Sequence, residues 1–356
     1  MPGQTGRAFK MAFAKFGANS WGVPASVTLG VYFEGDAGVQ LKPAMITDNA
    51  FNQAFMGPAD PAMVEAPTLS LTGRDRYDDK QYIWEALAMG SPTAVTIVTS
   101  AAGQLTSFQH LFDLATSIDG LGLTLAIDKN LYVEELTSVK VNGFELTQAD
   151  NGAMNQTFRA VVSKPTNISS ININSTVAGA AYPALSNRIL QHQGVFRMNA
   201  NGASALASGD TLAVESVKLT FSRAQDTPHI YGQDYIAEPA DNAWPEITLE
   251  LTYPRMNTPS ANSLYAGLRS ATAFKADWTF LGNYINSTDQ YKKLFQFPYL
   301  QLMDDGFVAA TAGAAQVKPT AKLAARLAPT SPSGMAFINP FRLTRIMSAS
   351  NSVVAF

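Results

Sequence analysis

Three histidines, His110, His192 and His229, are the only imidazoles in the chain, and no cysteine accompanies them. Imidazoles that do chemistry work in company: a structural zinc takes four ligands, and a nucleophilic triad sets a base beside a serine with an acid behind it. These three stand far apart in sequence, none at ligand spacing from another. The missing thiols also remove a disulfide framework, thiolate metal sites and a cysteine nucleophile. His110 falls inside a predicted strand, where a satisfied core or strand-surface ring is the expected role. His229 lies in the loop Asp226-Thr-Pro-His-Ile-Tyr-Gly232, as a contact residue or a solvated one. Adjacent carboxylates occur at Asp78-Asp79, Glu134-Glu135 and Asp304-Asp305. Glycoside cleavage needs two carboxyls at a fixed separation across a cleft, which sequence neighbours do not supply. Asp78-Asp79 reads as a helix cap and Asp304-Asp305-Gly306 as a turn. No phosphate loop, nucleophile elbow or dinucleotide fingerprint is present. The expectation is a chain that is not an enzyme and uses no metal or cofactor.

The remaining chemistry is that of contact. The stretch Met45 to Pro67 holds Phe51, Phe55, Met56 and Met63, and Gln225 to Pro245 holds His229, Ile230, Tyr231, Tyr235, Ile236 and Trp244. Loops this long inside a compact domain are usually functional or disordered, and aromatic and methionine content favours a partner surface over disorder. A loop folded back on its own core is the competing reading.

The elements that must carry these loops are short strands. Ser26 to Phe33, Pro67 to Thr72, Ala94 to Thr99, Leu121 to Asp128, Thr137 to Thr147, Val214 to Phe221, Glu246 to Tyr253 and Ala276 to Leu281 alternate in period two between Gly, Pro, Asn and Asp. Helical patterning is confined to Tyr82 to Met89, stopped by Gly90, and Asn262 to Arg269. Five matches then recur in the same order. Ser26-Val27-x-Leu29 returns as Ser216-Val217-x-Leu219, and Pro58-Ala59-Asp60 as Pro239-Ala240-Asp241. Thr68-Leu-Ser-Leu-Thr72 returns as Thr248-Leu-Glu-Leu-Thr252. Ile83-Trp84-x-x-Leu87 becomes Leu264-Tyr265-x-x-Leu268, and His110-Leu-Phe112 becomes Lys293-Leu-Phe295. Collinear matches indicate an internal duplication. The expected architecture is mainly β, two tandem β-sandwiches or flattened barrels each with one packed helix. Ile83, Trp84 and Leu87 face the sheet, with Trp84 as core. The expected boundaries are an N-terminal arm over 1–22, a first domain over 23–165, a linker over 166–194, a second domain over 195–347 and a tail over 348–356.

At 356 residues the chain is long enough for two cores. Charged residues make up only 15%, with 25 Lys+Arg against 28 Asp+Glu for a formal charge of −3. Such a balance offers no basic field for nucleic acid, and the weakly charged surface suits burial against copies of itself. No stretch approaches a membrane-spanning length or a signal-peptide core, so synthesis in the cytosol is expected.

The opening strand, the long loop, Pro67-Thr-Leu-Ser-Leu-Thr-Gly73, the helix through Trp84 to Gly90 and the strand around Gln109-His-Leu-Phe112 together resemble the tail tube proteins of long-tailed, siphovirus-like bacteriophages. Members of that family usually carry one tube domain per chain and form hexameric rings. The doubled domain here resembles the minority built from trimers, in which three chains supply six units to a pseudo-sixfold ring. The resemblance implies stacked rings forming a conduit through which DNA passes without specific binding. It also implies partnership with tail terminator, tape-measure and baseplate proteins, and a place in the virion tail after assembly in the host cytoplasm. Under it Phe51, Phe55, Met56, His229, Ile230, Tyr231, Tyr235 and Ile236 are inter-ring contacts, and Glu134 and Glu135 are candidates for the lumen wall. A baseplate hub or distal-tail ring of the same fold, a capsid decoration protein, and a carbohydrate-binding or glycan-cleaving sandwich are the alternatives.

Overall fold

The computed structural model describes residues 9–16, 21–34, 43–46, 60–64, 67–90, 94–99, 105–148, 152–163, 165–166, 169, 171–233, 235–254, 273–304, 318 and 320–348. The chain is mainly β. In the first half run β1 (Lys10–Phe16), β2 (Leu29–Val31), β3 (Pro43–Ile46), β4 (Asp60–Val64), β5 (Thr68–Arg74), α1 (Gln81–Met89), β6 (Ala94–Thr99), β7 (Ser107–Asp113), β8 (Gly122–Asp128), β9 (Val133–Gln148), β10 (Asn155–Val162) and β11 (Pro165–Thr166). A short α2 (Asn174–Ala178) follows. Then come β12 (Gly194–Ala200), β13 (Ser216–Ser222), β14 (Gln225–Asp226), β15 (Ala240–Asp241), β16 (Glu246–Thr252), β17 (Phe274–Tyr284), β18 (Gln290–Asp304), β19 (Thr320–Ala325) and β20 (Arg342–Met347). Every ladder between these strands is antiparallel.

Sixteen strands share one branched sheet, and two long strands are its corners. β9 holds β10 and β11 along one edge, while its other edge pairs with β8 and then, farther along, with β13. The change of neighbour coincides with a bulge, where Val141 and Gly143 pair with Ala160 and Arg159 and Asn142 is left between them. Bulges bend a strand and increase its twist, which lets it serve two layers. Glycine is required at 143, since a Cβ there would sit 2.6 Å from the Phe221 carbonyl oxygen. β18 does the same job in the second half, with β17 on one edge and β20 then β19 on the other.

The main apolar cluster draws on both halves, from Phe13, Trp84 and Phe158 to Trp278, Phe295 and Phe341. Among the described residues two strand ladders also cross between the halves, β9 with β13 and β7 with β20. α1 lies inside this cluster with all nine residues buried. Trp84 packs edge-on against Phe13 and Phe33, as the core role requires. Lys80 occupies the N-cap of α1 without a side-chain cap, which corrects the expected capping role of Asp78 and Asp79. Asp79 Oδ1 accepts instead from the amides of Lys80 at 2.5 Å and Gln81 at 3.2 Å in the turn before the helix. Gly90 ends it in the left-handed region at φ 73°, where glycine carries no Cβ penalty.

The two halves show local parallels. The Glu34 amide donates to the Thr72 carbonyl, and Glu215 donates to Thr252 in the same way. Each insertion before the TLxLT strand contains a two-stranded ribbon, β3 with β4 and β14 with β15. The pairing around those strands differs, because β5 pairs with β10 whereas β16 lies between β13 and β19. The expected helix at Asn262 to Arg269 lies outside the described residues.

Two further expectations are corrected. Residues 10–16 are no arm: they form β1 between β2 and β8, and Ala12 and Phe13 are fully buried. Met11 and Phe13 alternate with the small Ala12 and Ala14, a strand's pattern that Lys10 and Lys15 flank with charge. The polar stretch around Asn172 is no loose connector. Val177 of α2 is buried against Ala12, Val27, Ala126 and Val133. Asn172 is wholly buried, accepting from the Val27 amide and donating to the Ala25 carbonyl. Uncharged Asn and Ser serve there as buried hydrogen-bonding groups, which composition alone does not distinguish from solvated ones.

Candidate interaction surface

The loop after β13 folds as a finger. Its base is the β14–β15 ribbon, closed by the Asn242 amide on the Ala224 carbonyl. Farther out His229 bridges Ile236, and the Ala237 amide donates to the Pro228 carbonyl. At the turn the Gln233 amide donates to the Ile230 carbonyl, with Gly232 at φ 77°. Ile230 is 43% exposed and Tyr231 is completely exposed. Of the expected contact residues, His229, Ile230 and Tyr231 therefore stand at the solvent-facing end. Ile236 is buried and Tyr235 half-buried, its ring lying over Gly22. Ile236 is an anchor rather than a contact, a correction consistent with alternation, because neighbouring side chains in a ribbon face opposite sides. Phe51, Phe55 and Met56 lie outside the described residues.

Polar bonds hold the finger to the first half. Trp21 Nε1 donates to the Ile236 carbonyl at 3.0 Å. Glu238 accepts from the Gly120 amide at 2.7 Å and from the buried Lys140 ammonium at 2.8 Å. At its root the buried Arg223 guanidinium donates to the carbonyls of Ala88, Met89 and Ala115 and to Asp241 Oδ2, at 3.0, 3.2, 2.6 and 2.8 Å. A cation there satisfies the last carbonyls of α1 and complements the negative end of the helix dipole. Burial lowers the Arg223 pKa, and the Asp241 charge opposes that.

Glu134 and Glu135 do not face open space. They are 5% and 4% exposed. Glu134 pairs with Lys129, and Glu135 accepts from Ser169 Oγ at 2.5 Å and Asn172 Nδ2 at 2.6 Å. As lumen-wall candidates they are corrected: both carboxylates are spent holding neighbouring segments of the same chain.

Sequence reading missed a buried charge cluster on the inner face of α1. Asp75, Glu85 and Lys293 are fully buried and Arg345 is 1% exposed. Glu85 Oε1 accepts from Lys293 at 2.7 Å, Arg345 Nη2 at 2.8 Å and Gln156 Nε2 at 2.6 Å, while its Oε2 accepts from Arg345 Nε at 2.9 Å. Asp75 binds the same two cations. Burial pushes the Glu85 carboxyl up, but the Arg345 and Lys293 charges outweigh it and hold the pKa below the ordinary value. Asp79, outside this pairing, is pushed up to about 6 by burial. The signal was phase. Lys293 occupies the inward phase of β18 with Phe295 and Phe297, and Arg345 that of β20 with Leu343 and Met347. His110 is buried, stacked on Phe112 and in register with Arg345, in line with a core imidazole.

A cleft of about 400 Å³ opens at the other end of α1. Tyr77 donates from its hydroxyl to Gln193 Oε1 at 3.1 Å, and Leu185, Arg188, His192 and Asn283 are among the other lining residues. No carboxylate among the described residues lines it. Among the described residues no three His, Asp or Glu converge as a metal site would require, and no helix is long and apolar enough to cross a membrane. No protein-family model and no curated protein sequence matches the chain.

Proposed function

We propose that the chain is a structural, self-assembling protein of the tail-tube kind: three copies close a pseudo-sixfold ring, and rings stack into a conduit that DNA traverses without being gripped. The observation that carries this reading is the finger, which is anchored by Arg223, Glu238 and Trp21 and ends in the bare Tyr231 side chain. A loop serving only its own core would turn that aromatic inward, since a large exposed aromatic on a rigid support is typical of an interface anchor. A second feature supports it. β6 stands at the end of the sheet path, pairs only with β7 among the described residues, and exposes Thr96, Ile97 and Val98. Monomers protect an edge of this kind with charge or proline, and Ala94–Thr99 has neither, so strand pairing between copies fits it. The formal charge of −3 is compatible with a wall that does not bind phosphate. The surroundings of such a protein are the tail terminator, tape-measure and baseplate proteins of a virion.

Negative-stain microscopy of concentrated purified protein is the test. Long tubes support the proposal, isolated rings that never stack assign the chain to a baseplate or distal-tail ring, and a monodisperse monomer overturns it. Replacing Pro228 to Ala237 by Gly-Gly removes the tip and keeps Arg223 with Asp241. Rings without tubes are expected, and tubes of parental length would remove the finger from the stacking contact.

A further inference from the structure

The finger root and the cleft lie by opposite ends of α1. The cleft residue Tyr77 precedes the helix, whereas Arg223 at the finger root holds the carbonyls of Ala88 and Met89 at the helix's other end. Nine helical residues separate these ends by roughly 13 Å. β13 gives the direction independently. Its ladder with β9 runs from Val217 beside Gln148 to Ser222 beside Gly143, so the chain enters the finger travelling away from the end of β9 near Ala153, which bridges Leu190 in the cleft wall.

Resting on the self-assembly reading, we infer that the cleft lined by Tyr77, Leu185, Arg188, His192 and Asn283 is the receptor for the Tyr231 tip of a second copy of this chain. Size fits, because about 400 Å³ is at the small end of pockets that enclose a ligand and suits one aromatic side chain. Chemistry fits as well. The Leu185 and Leu190 side chains meet the ring, and Arg188 offers a cation to it or to its hydroxyl. Charge is complementary: among the described residues the lining has Arg188 and no acid, while Gln225 to Tyr235 carries Asp226 and Asp234 and neither Lys nor Arg. A projection at one end and a socket at the other make a head-to-tail contact between different patches, which propagates from copy to copy.

The absence of cysteine gives a clean test. Two full-length single-cysteine variants that keep the Tyr231 ring and the Leu185 side chain, Ile230→Cys beside the tip and Ser186→Cys in the cleft wall, are mixed in equal amounts, assembled, oxidised and analysed by non-reducing electrophoresis and mass spectrometry. Both positions are exposed, so circular dichroism and melting should match the parent. Covalent dimers containing one of each variant are expected to dominate over either like dimer. Predominance of Ile230→Cys like dimers shows tip-to-tip contact and overturns the inference. Rings and tubes that form without mixed dimers overturn it too, and leave the tube reading standing. Protein that never assembles overturns the tube reading and the docking with it. In a second arm Arg188→Glu should raise the concentration needed for stacking about tenfold or more, as loss of an anchor contact does, and an unchanged threshold counts against the socket.

Discussion

Glu85 sits on a helix that has no solvent face, and its carboxylate is fully occupied by Lys293, Arg345 and Gln156. Buried ion pairs are poor sources of net stability, because desolvation offsets much of the attraction. Their value lies in selectivity: only one register of β18 and β20 under α1 brings both cations to Asp75 and Glu85. Breaking the set from one side leaves charge buried without its partner. Lys293→Met is accordingly expected to destabilise the protein by about 3 to 5 kcal/mol, lowering the thermal midpoint by several degrees. The double variant Lys293→Met with Glu85→Gln removes one charge of each sign and should recover much of that loss. Melting curves followed by circular dichroism read both. A loss in the double variant equal to the sum of the losses of Lys293→Met and Glu85→Gln measured singly would show that Glu85 and Lys293 are not coupled.

At the scale of elements, the finger and α1 share a fastening in Arg223, whose fork reaches three carbonyls and Asp241 together. Lysine keeps the charge and loses the fork. Arg223→Lys should therefore loosen the ribbon, speeding hydrogen exchange of amides across 225–241 by about tenfold or more, a shift of roughly 1.4 kcal/mol in local opening. Unaltered protection there would mean that Trp21 and Glu238 suffice as anchors. These elements were unevenly legible in the sequence. Amphipathic strands announced themselves, so β5, β13 and β16 match the alternating runs closely, and α1 was visible from its apolar run and Gly90. β1 was hidden by its Lys residues, and α2 by a composition that suits a connector. The finger was legible as a loop rich in aromatics, but which aromatic projects depends on ribbon register. That register is set by long-range bonds from Trp21 and Lys140 that local spacing does not encode. Glu134 and Glu135 show the same limit: a carboxylate pair looks alike on paper whether it faces water or closes a hydrogen-bond network.

For the molecule as a whole, two strand junctions and a shared apolar cluster tie the first 166 residues to the rest. Neither part is a closed body: separation bares one edge of β9 and one of β7 and strips Asp75 and Glu85 of Lys293 and Arg345. Fragments 1–166 and 171–356 expressed apart are expected to aggregate, and to yield soluble complex only when co-expressed. Two monomeric, cooperatively melting fragments would contradict that. The position of β20 carries a further consequence. It slots between β7 and β18, yet it leaves the ribosome after every other described strand. Until translation reaches Met347, the nascent polypeptide lacks its keystone and Arg345 has not arrived to neutralise the acids under α1. Interrupted synthesis thus gives a product that cannot complete its sheet, so chains cut short before Met347 are marked by their own failure to fold.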